Sequence, residues 1–126
     1  LDERITRCGY LSYSIRYESE ELGGIHRDTF LKALAAEGIS MRTGYTTLVH
    51  EMPLCNGENL RPEDLKRFSG RNIDAATKGQ FPNAEHARDN TTIWAAQNWL
   101  LGDTDVTEDV VRAVYKVVEN IGSLKS

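Results

Sequence analysis

The clearest pattern of hydrophobic and polar positions runs from Ile25 to His50, IHRDTFLKALAAEGISMRTGYTTLVH. Phe30, Leu31 and Leu34, with small Ala33, Ala35 and Ala36 between them, recur at spacings of one, three and four, which predicts an amphipathic helix near Arg27–Glu37. Asp28 falls in its first turn, where negative charge suits the macrodipole. Gly38 follows Glu37 at the place of a left-handed C-terminal cap, because a residue without Cβ takes positive φ at least cost. Ile39–Arg42 is expected to form a short strand, and the loop beyond it carries Arg42, Tyr45 and His50.

Upstream, Tyr10–Tyr17 alternates, with Leu11, Tyr13, Ile15 and Tyr17 on one side and Ser12, Ser14 and Arg16 on the other. That period of two, with aromatic and β-branched members, predicts a strand packed on one face. Glu18–Gly24 is an acidic loop that ends in glycine. Between His50 and Gln80 the pattern is irregular, broken by a short helix expected after Pro62 (EDLKRF). A connection this long, and above all the 55–80 stretch, is either functional or mobile.

Pro82 opens a further helix, PNAEHARDN, with Glu85 near its positive end. Thr91–Ala95 has the content of a strand, and Asn98, Gly102 and Asp103 punctuate a turn around Trp99, Leu100 and Leu101. Asp105–Ile121 then places Val106, Val110, Val111, Val114, Val117, Val118 and Ile121 on one helical face, with Arg112, Lys116 and Glu119 facing out. Asp105 and Glu108 approximate a capping box. Valine is a mediocre helix former, so tertiary packing must hold this helix. The order β-α-β, irregular loop, α-β-α predicts an α+β fold, with two or three main helices on a small, mainly antiparallel sheet.

At 126 residues the chain is long enough for a single domain, 1–126, that buries a core. Hydrophobic residues at 40% and charged residues at 27% match ordinary globular usage. A net charge of −4 and basic residues scattered over Arg4, Arg7, Arg16, Arg27, Lys32 and Arg42 argue against nucleic acid as a partner. No apolar run approaches the ~20 residues of a membrane span, and LDERITRCGYL lacks the apolar segment of a secretory leader. A reduced, cytosolic setting is therefore the expectation. Leu1 stands in place of an initiator Met, as expected of a domain taken from a longer polypeptide.

The candidates for chemistry are few. His50 suits acid–base work or an oriented hydrogen bond to a substrate hydroxyl, and equally a packing role. Tyr45 could donate to a substrate oxygen, or be structural. Arg42 could clamp a carboxylate or phosphate, or be a solvated surface charge. Cys8 and Cys55 carry no nucleophile signature, and with the three scattered histidines they make no zinc pattern, so no metal is expected. Gly23-Gly24 before the helix is a weak form of anion-binding turn. Trp94 and Trp99 read most simply as core or interface anchors.

As an ordered set, several of these segments resemble the C-terminal domain of the DegT/DnrJ/StrS family, pyridoxal-phosphate (PLP) enzymes of the aspartate-aminotransferase fold. YLSYSIRY at Tyr10–Tyr17 is similar to the family's entering strand, and RDTFLKALAAEGI at Arg27–Ile39 to its helix ending in a GI step. YTTLVH at Tyr45–His50 resembles its tyrosine loop ending in histidine, with Pro53 after it. FPNAEHA at Phe81–Ala87 is similar to its FP-x-AE segment, and WAAQNWLLGD at Trp94–Asp103 to its last strand and turn. The chain departs from the pattern at Thr46, where many members have proline, and over Cys55–Gln80.

The resemblance implies the small domain of an aminotransferase that moves an amino group from glutamate or glutamine to a keto-sugar or ketocyclitol. It implies partners in the chain's own large PLP-binding domain and in a second copy, as a homodimer. Tyr45, His50 and Arg42 are then the residues expected to reach substrate. The catalytic lysine and the cofactor cradle would lie upstream, so this fragment alone is expected to hold no PLP and to be inactive. The rival expectation is a free-standing α+β binding module for a partner protein or small ligand.

Overall fold

The computed structural model describes residues 3, 4, 6, 11–52, 61, 63 and 81–125. Leu1–Gly44 and Asn90–Ser126 form one unit, and Tyr45–Asp89 a second. The first unit contains strand β1 (Ser12–Arg16), helix α1 (Arg27–Ala36) and strand β2 (Thr92–Ala96). The second contains a 3₁₀ turn (Val49–Glu51) and the short helix α2 (Pro82–His86). The last helix, α3 (Thr104–Glu119), returns to the first unit. Among the described residues a two-stranded antiparallel sheet and three α-helices thus give the mixed α+β fold expected. Of the helix expected after Pro62 only Glu63 is described, and both cysteines lie outside the described residues.

β1 runs antiparallel to β2, in a register from Ser12 opposite Ala96 to Arg16 opposite Thr92. On its other edge β2 meets Arg42: Trp94 N–H donates to Arg42 C=O at 2.6 Å, and Arg42 N–H to Trp94 C=O at 3.0 Å. The strand expected over Ile39–Arg42 is reduced to this single bridge. Other structure claims its backbone. Ile39 N–H is committed to the end of α1, and Ser40 C=O accepts the Trp99 indole N–H at 3.1 Å. Gly44, at φ +83°, then turns the chain away.

The end of α1 shows why glycine stands at position 38. Glu37 is the C-cap, and Gly38 takes φ +87°. Its N–H donates to Ala35 C=O, and Ile39 N–H reaches back to Leu34 C=O, both at 3.0 Å. This is the Schellman pattern, which satisfies carbonyls the helix would otherwise leave open. Ile39 is buried beyond the cap.

The core of the first unit gathers Tyr17, Phe30, Leu34, Ile93 and Val117, with Ile15, Met41, Val114, Val118 and Ile121 packed against it. Tyr17 packs its ring 5.2 Å from that of Phe30 and donates its hydroxyl to Ile25 C=O at 2.8 Å. Burial raises the phenol's pKa. Arg27 is also buried, and its guanidinium spans from Asp28 to the Thr92 carbonyl, each at 3.3 Å.

Three expectations are corrected. The apolar face of β1 is covered only from Ile15 onward, while Tyr13 is half-exposed and Leu11 exposed, because the core side chains of α1 and α3 gather around Ile15 and Tyr17. On α3, Val111 and Val106 stay open to solvent, and the inward stripe runs through Val110, Val114, Val117 and Val118. The N-cap of α3 is Asp103, and its side chain makes no capping bond. Asp105 therefore lies inside the first turn, where its charge meets the helix dipole instead of forming the expected box with Glu108. The Gly23-Gly24 turn is likewise self-satisfied at Gly24, whose N–H donates to Ser19 C=O at 2.8 Å.

Candidate functional site

In the second unit, a tight turn and the first turn of a helix meet around His50. Glu51 N–H donates to Leu48 C=O at 2.9 Å and Met52 N–H to Val49 C=O at 3.2 Å, closing the 3₁₀ turn. The Glu51 carboxylate folds back over it, accepting Leu48 N–H on Oε2 at 2.9 Å. His50 is fixed in the middle of this turn. Across from it, Pro82 starts α2 with the φ that proline supplies, and Glu85 N–H donates to Phe81 C=O at 3.0 Å. Phe81 and Glu85 are thereby held one helical turn apart, and both reach His50.

The His50 imidazole stacks on Phe81, with ring centroids 4.5 Å apart and planes tilted by 27°. Its Nε2 lies 3.8 Å from Glu85 Oε1, and the two side chains are only 11% and 13% exposed. That Nε2 is buried and has no hydrogen-bond partner. An orphaned buried polar atom costs about 1–3 kcal/mol, so it marks a place where stability has been given up.

A second carboxylate braces the cluster. Glu51 Oε1 accepts a hydrogen bond from Arg88 Nη1 at 2.5 Å, and Arg88 also grips Asp89 through Nε at 2.7 Å. The Arg88 hydrogen bond, followed by the Leu48 N–H, holds the Glu51 carboxyl below its ordinary range, and the Arg88 charge acts the same way. Asp89 and then Glu51 raise the Arg88 guanidinium correspondingly. The result is a half-dry imidazole between an aromatic face and a carboxylate, on a turn pinned by an ion pair. Such a group can orient a hydrogen bond to a substrate hydroxyl or carry a proton. Among the described residues no group of His, Cys, Asp and Glu is arranged to hold a metal ion.

The residues expected at the site are placed unequally. His50 is at the centre of the cluster. Tyr45 is in the same unit and 75% exposed. Arg42 belongs to the first unit, its backbone bridged to Trp94 and its side chain exposed. Phe81, Glu51 and Arg88 are not singled out by the sequence, and Glu85 is marked there only for its place near the positive end of a helix. The proline start of the FPNAEHA segment is the one local hint that Phe81 and Glu85 share a turn.

Three curated proteins match 98% of this chain. All are provisionally named L-glutamine:3-amino-2,3-dideoxy-scyllo-inosose aminotransferase. They come from Streptoalloteichus tenebrarius (25% identical), Streptomyces kanamyceticus (30%) and Micromonospora echinospora (27%). The chain is similar to aminotransferases over almost its whole length. It spans 29–30% of the length of these relatives. No protein-family model matches it, and no solved structure matches it significantly.

Aminotransferase chemistry depends on a lysine held beside a pyridoxal group. Lys32 is exposed on α1, and Lys116 is exposed on α3 and paired with Glu37 at 2.6 Å. Neither lies in an enclosed cradle, so these lysines do not fit the cofactor. Among the described residues no helix is long and apolar enough to cross a membrane.

Proposed function

We propose that this chain is the C-terminal part of a longer PLP-dependent aminotransferase of the DegT/DnrJ/StrS type. The intact enzyme moves the amino group of glutamine or glutamate onto the keto group of a ketocyclitol or keto-sugar. The observation that carries this reading is the similarity to three proteins named for such a reaction, spread over 98% of the chain yet covering only 29–30% of theirs. In this reading the catalytic lysine and the PLP cradle lie in another part of the polypeptide.

In this reading the chain contributes binding and orientation. His50 presents a ring nitrogen to a hydroxyl of the acceptor, and Tyr45, whose ring is already exposed, adds a phenol at the same loop. Arg42, which belongs to the other unit, is a separate candidate for contact with substrate. The intact enzyme is a cytosolic homodimer, and this fragment alone is inactive.

The test is nitrogen transfer by the intact polypeptide. With PLP, a ketocyclitol and glutamine labelled with ¹⁵N at the α-amino group, the amine product should carry the label. A folded, PLP-supplied protein that labels neither ketocyclitols nor keto-sugars would overturn the reading.

A further inference from the structure

We propose that Glu85 is the positioning residue for His50, closing onto its Nε2–H when the other ring nitrogen takes a hydroxyl of the keto acceptor. This rests on the functional reading above for the identity of that hydroxyl, but not for the pairing itself.

The geometry carries the pairing. Glu85 Oε1 stands 3.8 Å from His50 Nε2. That is beyond a hydrogen bond, yet short of the roughly 5 Å that two bonds to a bridging water would fill. Nε2 is buried and unpartnered, so no other group satisfies it. A movement of about 1 Å would make the bond, and catalytic hydrogen bonds often tighten only when substrate is bound. Phe81 limits where the ring can go, because the stacked face at 4.5 Å leaves sliding and in-plane rotation but opposes tilting. Phe81 and Glu85 also move together, being tied by the Glu85 N–H to Phe81 C=O bond at 3.0 Å.

The chemistry follows from the partner. An ionised carboxylate only accepts, so closure assigns the proton to Nε2 and leaves Nδ1 a lone pair. A neutral ring so oriented accepts from a hydroxyl instead of donating to one. The site would therefore favour acceptors with a hydroxyl in reach of Nδ1, and would discriminate against the deoxy analogue.

The experiment uses the intact enzyme with ring-¹⁵N histidine, in native form and as Glu85→Met, which keeps length but removes the acceptor. In the native enzyme with ketocyclitol bound, the His50 nitrogens should report one tautomer, protonated at Nε2. In Glu85→Met they should report a mixture, with KM for the keto acceptor raised roughly tenfold, as expected for one lost charge-assisted hydrogen bond, and KM for glutamine within about twofold of native. If Glu85→Met does not fold, Glu85→Gln serves, since a carboxamide can also donate and should give the same mixture in smaller measure. An unchanged tautomer and an unchanged KM for the keto acceptor in either variant would overturn the proposal. If the intact protein transfers no amino group, the functional reading falls, while the tautomer of His50 still decides whether Glu85 positions it.

Discussion

Glu51 and Arg88, 37 residues apart, are joined by a hydrogen bond of 2.5 Å that ties the His50 turn to the π-helical segment Ala87–Thr91 following α2. The same carboxylate also accepts Leu48 N–H, so one side chain holds both the shape of the turn and its place beside the helix.

That arrangement makes the turn sensitive to acid. The folded-state pKa of Glu51 lies below its ordinary 4.5, so its stabilisation is fully present above 4.5 and lost as pH falls through the lower, folded value. Glu51→Gln should lower the melting temperature at pH 7, and the gap from native should close toward pH 3. Thermal melts at the two pH values check this; a gap that stays constant contradicts it.

Leu34 has no exposed surface and lies among Tyr17, Phe30, Ile93 and Val117. Leu34→Ala should destabilise the first unit by about 2–5 kcal/mol, the range for emptying a core leucine site. Urea unfolding measures it, and a loss below 1 kcal/mol would mean that the site collapses to refill the space.

Two glycines with nearly the same φ should respond differently. Gly38 at +87° has open space where a Cβ would go, so Gly38→Ala should cost only the left-handed backbone, about 1–2 kcal/mol. At Gly44, φ +83°, a Cβ would come within 3.3 Å of both Thr92 Cγ2 and the Trp94 ring, so Gly44→Ala should cost more. Unfolding midpoints of the two variants, ranked the other way, would contradict the placement of Gly44 against β2.

On α3, Val114 packs on the core while Val111 is 46% exposed. Val114→Asp should therefore unfold the first unit, and Val111→Asp should shift its melting temperature little. Circular dichroism melts of the pair check the rotation of the helix about its axis.

The contrast between those valines shows where the sequence was informative. Periodicity located α1 and α3 because a helix is written locally, and Gly38 marked a stop because its cap uses only neighbours. Periodicity could not say how wide the buried stripe of α3 is, or which end of β1 is covered, because that depends on what packs there. The strand expected over Ile39–Arg42 gives backbone groups to Leu34 and Trp99, a competition that no local pattern records. At the site, His50 was visible as a residue and through a resemblance. Its partners were not, because Phe81, Glu85 and Arg88 reach it only through tertiary structure.

The most direct test of the account is the absorbance of the intact polypeptide with PLP, scanned before and after glutamine is added. The account predicts a band from protein-bound pyridoxal that bleaches as the amino group is taken up, and that returns when a ketocyclitol is supplied. A correctly folded intact protein that shows no such band would contradict it.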